Sequence, residues 1–480
     1  MPDEHASALA RPRTKIVATI GPATGSAAAI DALLAAGVDV ARVNCAHGTH
    51  DGLRATIALL RERSAHAGAA LAILADLAGP KLRVGRIAGG ATELEVGQQL
   101  ALTGDDVLGD GARVGVNYAG LAADVAPGMH VFLNDGLLRL LVLEVRGNDV
   151  LTRVEVGGTL SDHKGLSLPD AGTSLPSLTD KDWLDLDCVL AAGVDYVGLS
   201  FVRAAADIAL LRDGIAARGH AALVVAKIEK RQAVEQIEDI VRVADAVMVA
   251  RGDLGVECPI ESVPVLQKRI LSICRRHGTP AITATQMLES MVTSPIPTRA
   301  EASDVANAVL DGSDAVMLSA ETAIGRHPTE TVRTMRRILL ASEDYAGTRH
   351  GTVELPAEVL TVSGAAARGA VFAADACQAA AIICLTQSGA SARALARWRP
   401  LQPLVAVALD HAVCRRLALV WSVHPLFLAD FGSDFDDAVA QVKALLRGKL
   451  GLAEGARVVL TAGLPFPAHA RTNTVRVETL

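Results

Sequence analysis

Apolar residues follow two rhythms along this chain. Eight short, nearly continuous apolar runs, at 14–20, 38–44, 71–76, 195–201, 223–229, 246–250, 280–284 and 314–318, are mostly separated by stretches with helical spacing. Unbroken apolar runs suit strands buried on both faces, which calls for a parallel sheet covered by helices. Eight of them predict a closed (β/α)8 TIM barrel rather than an open doubly wound sheet. The grammar repeats: LLAAGVDVARVN, from Leu33, returns as VLAAGVDYVGLS from Val189. A first helix is expected from about Ser26 to a glycine cap at Gly37. Between Glu229 and Ala246 the spacing predicts one helix of about fifteen residues.

The second rhythm occupies 86–168, where segments such as ELEVGQQLALTG and LLRLLVLEVRGNDVLTRVEV alternate apolar with polar residues. Gly147-Asn148-Asp149 reads as a hairpin turn. This predicts a small β-barrel domain inserted after the third barrel strand, placed as a lid over the active face. Beyond about 345, after AGTRHGTVELPAEV, helices alternate with the strands AAIICLT, LVAVAL and ARVVLTA, a separate α/β domain. The expected units are a barrel at 1–85 and 169–344, a lid at 86–168 and a C-terminal domain at 345–480.

Polar residues fall at the carboxyl ends of the predicted barrel strands: Arg42 and Asn44, Asp76, Ser200, Lys227 and Glu229, Asp253, Thr285, Ser319 and Glu321. Barrel enzymes draw their catalytic groups from that face. Lys227 and Glu229 end one strand on the same side, and Asp253 follows the next. Charge at the end of an apolar run is costly unless it is used. Two carboxylates beside an ammonium suit a hard divalent ion shared with an anionic substrate.

Composition narrows the class. The net charge is −7 and no basic stripe with interleaved aromatics occurs, which argues against a nucleic-acid partner. RPRTK at 11–15 reads as a solvated start to the first strand. Only 3% of residues are aromatic, so the cores are expected to consist of Ala, Val and Leu. The seven cysteines form no CxxC and no Cys/His spacing, which indicates neither zinc nor a disulfide framework. Free thiols fit a reducing, cytoplasmic interior. No apolar run reaches the length of a membrane span, and MPDEHASALARPR lacks a signal-peptide core. A soluble cytoplasmic protein with no membrane partner is expected.

Five stretches agree with one family: KIVATIGPA, ARVNCAHG, MVARGDLGVE, ITATQMLESM and PTRAEASDVANAVLDGSDAVMLSAETA. Together they make the chain closely resemble pyruvate kinase over essentially its whole length. The resemblance implies phosphoryl transfer from phosphoenolpyruvate to ADP, giving pyruvate and ATP. It also implies a homotetramer and a regulatory C-terminal domain. Glu229 and Asp253 would hold Mg²⁺, with Mn²⁺ as an alternative. Lys227 would meet the transferring phosphoryl group and Arg42 the substrate phosphate. Backbone N–H groups from Arg251 to Asp253, Gly252 among them, would receive the carboxylate. Thr285 would orient a water towards the enolate carbon, since a hydroxyl is too weak an acid alone. Arg83 and Lys164 would reach the nucleotide from beside the lid. His47 is evenly balanced between nucleotide contact and ordinary capping. Asp135 matches a lid residue, Met287 and Met291 read as helix packing, and the RGD at 251–253 is a strand end.

Two departures from the family pattern matter. Members that require potassium use an Asn, a Ser, an Asp and a Thr as ligands and carry a Glu a few residues on. Here Asn44 and Asp76 remain, but Ala46 and Leu77 replace two oxygen ligands and Lys81 replaces the Glu. The expectation is a tethered ammonium in place of K⁺, which is then not required. In the C-terminal domain, Thr386, Ser388 and Ser391 of LTQSGAS follow a strand and open a helix, a setting that can hold an effector phosphate. The closing GLPFPAHARTNTVRV departs from the glycine-rich loop of fructose-bisphosphate-activated members, which makes a sugar monophosphate or AMP an equal candidate for the effector. Two rival readings stand beside this one: another phosphoenolpyruvate-handling barrel, and a catalytically silent regulator.

Overall fold

The structure is a computed structural model describing residues 11–172, 174–346, 361–465 and 471–480. Eight strands close into a parallel barrel: β1 Lys15–Ile20, β2 Val40–Asn44, β3 Ala72–Asp76, β4 Tyr196–Leu199, β5 Leu223–Ile228, β6 Ala246–Ala250, β7 Ala281–Ala284 and β8 Ala315–Leu318. Each pairs with its neighbours in sequence, and β8 returns to β1 with Lys15 opposite Ala315. Alternate residues divide the strands as the pleat demands. Val17, Val40, Leu74, Val225, Met248, Ile282 and Met317 share one cluster, and their neighbours Ile16, Ile73, Val224 and Val247 join the shell of helices. Ala418 and Leu419 of the C-terminal domain complete the first cluster, so that domain closes the barrel's amino-terminal mouth.

The first helix runs Ala27–Ala36 between a Ser26 N-cap and Gly37, whose φ of 110° is open to glycine at little cost. The single helix expected between Glu229 and Ala246 is two, Arg231–Glu235 and Ile237–Val243, broken at Gln236 (φ −104°, ψ 20°). Met287 and Met291 are fully buried, as packing residues should be, but on a turn and a short 3₁₀ segment rather than a helix.

The inserted domain has a six-stranded sheet and a two-stranded sheet around one apolar core, in which Leu94 and Leu160 meet Leu100, Leu140 and Val150. Its hairpin turns at Gly147 and Asn148, as read from the sequence. The two connections to the barrel run side by side: Val84 N–H donates to Lys164 O at 2.9 Å and Leu166 N–H to Leu82 O at 3.0 Å. The C-terminal domain carries a five-stranded sheet, parallel except for its last strand Thr474–Thr479. The stretch after 346 taken as its leading linker lies outside the described residues.

RPRTK is not a solvated start. Lys15 is 3% exposed and its Nζ donates to Val423 O at 2.8 Å. Arg13 donates through its backbone to Glu343 and through Nη2 to Leu401 O at 2.7 Å. Lys15 is sealed between barrel and C-terminal domain and Arg13 is half-buried there, while Arg11 is exposed; local composition does not reveal this tertiary contact.

Candidate active site

Six consecutive strands deliver the charged cluster. Arg42 comes from β2, Asp76 from β3, Ser200 from just beyond β4, Lys227 and Glu229 from β5 and its end, Asp253 from the turn of helix after β6, and Thr285 from the residue after β7. Lys227 Nζ lies 3.1 Å from Asp76 Oδ1, 3.0 Å from Glu229 Oε1 and 2.7 Å from Ser200 Oγ. Asp76 spends its other oxygen on Arg42, accepting from Nε at 2.8 Å with Nη2 at 2.6 Å, and Arg42 Nη1 donates to Thr19 Oγ1 at 3.1 Å. Ser200 Oγ donates onward to Leu77 O at 2.7 Å, which leaves its lone pair for Lys227.

The electrostatics follow from burial and partners. Burial works against charge on Lys227, but Asp76 and Glu229 outweigh it and hold its ammonium well above the usual range. Burial also opposes ionisation of Asp76, yet Lys227 and Arg42 keep its carboxyl low. Glu229 is pushed up, first by burial and then by the like charge of Asp253, against the pull of Lys227 and the Phe201 N–H at 2.7 Å. These two carboxylates repel across the site and fit a shared divalent cation. Among the described residues no three metal-ligating side chains cluster, so such an ion would keep positions for water and substrate oxygens, as Mg²⁺ does.

Helix Arg251–Glu257 starts at the end of β6. The Gly252 N–H donates to Thr285 Oγ1 at 2.9 Å, and Thr285 adopts a φ of 71°. Arg251 turns away from the mouth, donating to Thr285 O at 2.6 Å and pairing with Asp304 at 2.7 Å. Ser319 and Glu321 reach the expected face, but the buried Glu321 carboxylate accepts from the Ser319 and Leu288 N–H groups and is occupied with backbone.

A cleft opens between lid and barrel, lined by Lys81, Asp135, Phe201, Arg203, Lys230 and Asp253 among others. Lys227 and Glu229 are not in its lining, and Glu229 is linked to it through the N–H of Phe201. Lys81 is exposed at its rim. Arg83 sits on the lid connection, its Nη1 donating to His163 O at 2.8 Å, one residue before Lys164. Asn44 Oδ1 accepts from the Ala46 N–H at 3.0 Å, and His47 is exposed. Sequence reasoning missed Arg203 and Lys230 as cleft cations. The run KIEKR carried the signal for Lys230, whose ammonium pairs with Glu257 at 2.6 Å.

In the C-terminal domain, Thr386, Ser388 and Ser391 line a separate cavity of about 510 Å³ with Arg471 and Thr472. Thr386 Oγ1 accepts the Gly389 N–H at 2.9 Å, which is the capped-turn arrangement, and Ser391 Oγ lies 2.5 Å from Thr472 Oγ1.

Residues 11–332 match the family described as pyruvate kinase, barrel domain, and residues 364–478 the pyruvate kinase alpha/beta domain. The chain is 44% identical to a pyruvate kinase of Corynebacterium glutamicum over 98% of each chain. It is 42% identical to one of Mycobacterium tuberculosis over 97% of this chain and 98% of that one. The solved structure of a pyruvate kinase from Cryptosporidium parvum superimposes with a TM-score of 0.90 at 33% identity, covering 98% and 96% of the two chains. With the closed barrel, the inserted sheet domain, the C-terminal α/β domain and the charged cluster at the barrel mouth, these matches establish that the chain belongs to the pyruvate kinase family.

Proposed function

We propose that the chain transfers the phosphoryl group of phosphoenolpyruvate to ADP as the last step of glycolysis, acting as a cytoplasmic homotetramer. The observation that carries the reading is the buried Lys227 ammonium, held between Asp76 and Glu229 beside the carboxylate of Asp253. A fixed cation with no need to reorganise is what a transferring phosphoryl group requires. Arg42 binds the substrate phosphate. Glu229 and Asp253 hold Mg²⁺ or Mn²⁺, which when bound supplies positive charge at the substrate's oxygens. The N–H of Gly252 and that of Asp253 take the carboxylate, and Thr285 then exchanges its bond to Gly252 for a water that protonates the enolate carbon. Arg83 and Lys164 hold the nucleotide, from the connections that join lid to barrel.

Lys81 supplies the monovalent charge, so K⁺ is not required. Thr386, Ser388 and Ser391 take the phosphate of a sugar monophosphate or AMP, and the units 1–85 with 169–344, 86–168 and 345–480 act as catalytic barrel, lid and regulatory domain. The test is ADP-dependent pyruvate formation with Mg²⁺ in buffer free of Na⁺ and K⁺, a bulky tetraalkylammonium salt holding ionic strength. Full turnover is expected there, with loss on chelation of the divalent ion. Absence of ADP-dependent pyruvate would overturn the activity, whereas a large saturable activation by K⁺ would overturn only the role of Lys81.

A further inference from the structure

Glu229 and Asp253 come from different elements, and strand pairing stops short of both. The last registered pair of β5 and β6 is Ile228 with Val249, one residue before Glu229 and four before Asp253. Beyond it an ion pair joins the two segments. Lys230 follows Glu229 and is the N-cap residue of helix Arg231–Glu235. Its Nζ lies 2.6 Å from Oε1 of Glu257, the last residue of the helix that carries Asp253. The two side chains are 14% and 3% exposed.

Phe201 completes the arrangement. Its N–H donates to Glu229 Oε2 at 2.7 Å, and its ring lies 5.7 Å from Lys230 Nζ, a cation–π contact. Its φ of 54° is left-handed, an unfavourable setting for a residue other than glycine. Phe201, Lys230 and Asp253 all line the cleft between lid and barrel.

The plainer explanation is an ordinary structural ion pair, and three observations weigh against it. Glu257 ends its helix, where the dipole disfavours negative charge. Asp253 stands one turn earlier on the same helix, a like charge four residues away. Glu257 Oε2 is buried and has no hydrogen-bond partner among the described residues, which is costly for a carboxylate. A buried pair of this kind contributes little to stability beyond what apolar side chains of similar size would give. Its place between the two carboxylate-bearing segments accounts for it better.

On the reading of Glu229 and Asp253 as metal ligands, on which this rests, we propose that Lys230 and Glu257 are positioning residues that set the spacing of those two carboxylates for a divalent cation. Groups that orient metal ligands without touching the metal are worth about tenfold to a hundredfold in affinity. Charge alone predicts the opposite sign. Lys230 repels a cation bound at the cleft, so loss of its ammonium should tighten binding of the ion. Geometry and charge therefore make opposed predictions for one substitution.

The test is Mn²⁺ binding to the full chain without substrate, followed by loss of the free-ion EPR signal. Each variant is first shown to unfold cooperatively in urea, so that affinity is read on folded chain. Wild type should bind saturably, and Glu229→Gln should lose most of that binding. Lys230→Met should bind about tenfold more weakly or worse, against the direction set by charge. Lys230→Arg, which still reaches Glu257, should recover most of the affinity. The double variant Lys230→Met, Glu257→Leu leaves no buried carboxylate stranded and keeps the test open if Lys230→Met alone fails to fold. It too should bind about tenfold more weakly. Wild-type or tighter binding in either variant would overturn the positioning role and leave the metal reading standing. Absence of saturable binding in wild type, or binding unchanged by Glu229→Gln, would overturn the metal reading and the positioning role with it.

Discussion

Asp76 accepts from Arg42 with one oxygen and faces Lys227 with the other while 2% exposed at its side chain. Replacing it by Asn leaves two cations side by side with one countercharge fewer. Breaking a buried pair from one side costs about 3–5 kcal/mol, and Asp76→Asn should lose stability of that order in urea unfolding. Turnover should fall together with it, as Lys227 shifts towards Glu229. A stability change below about 1 kcal/mol would show that Arg42 and Lys227 find other partners. Lys227, Glu229 and Asp253 were legible in the sequence because charge ending an apolar run demands a use. The pairing was not, because Asp76 and Lys227 come from β3 and β5, with β4 between them. Asp76 invited a reading as a cation ligand, and its main contacts here are two side-chain cations. Glu321 shows the same limit: strand-end position was readable, but the direction in which its carboxylate spends its oxygens was not.

Helix Asp180–Ala191 ties down two loops of the active face from its first two turns. Asp182, fully buried, accepts the Gly79 N–H at 3.0 Å with one oxygen and both the N–H and hydroxyl of Thr179 with the other. Asp185 takes Lys181 at 2.6 Å and His50 at 2.8 Å, and Lys181 donates to Cys45 O at 3.0 Å. The loop after β2 and the loop before Lys81 therefore hang from one helix. Gly79 permits this geometry: its φ is 66°, and a Cβ there would lie 2.9 Å from the Phe201 ring. Asp182→Ala removes the N3 half of the capping box, the acceptor for the Thr179 N–H, and strands the buried Gly79 N–H, each worth about 1 kcal/mol or more. It should lower stability by about 2–4 kcal/mol on those terms and raise the substrate KM more than Thr179→Ala, which leaves Gly79 bonded. Equal effects of the two variants in urea unfolding and steady-state kinetics would count against the clamp. Strands and the first helix were readable because burial and capping are local signals. The break at Gln236 was not, since it answers to tertiary packing and no Gly or Pro marks it.

The contact between barrel and C-terminal domain is the part of the whole molecule least visible in sequence, because its polar side chains read as surface. His424 belongs to it; burial first, then the charges of Lys15 and Arg11, bring its imidazole down to about 3. Its folded value lies below the ordinary 6.5, so the unfolded chain takes up a proton that the folded chain refuses. Above about pH 6.5 the group contributes nothing, and between there and about pH 3 it costs up to about 1.4 kcal/mol per pH unit. His424→Gln should therefore flatten the acid side of the stability profile relative to wild type, measured as urea midpoints at pH 7.5 and 5.5. Parallel profiles would mean that the imidazole is solvated. The broad architecture was nonetheless open to reading, since eight apolar runs, an alternating insertion and a final α/β rhythm each obey a simple period. The lid's paired connections carry a further implication. Arg83 and Lys164, the residues proposed to hold the nucleotide, sit on those very connections, so under that proposal hinge and grip are one piece of chain. A change of lid angle would then alter the nucleotide's handholds in the same movement, and release of product would become a matter of leverage rather than of a separate latch.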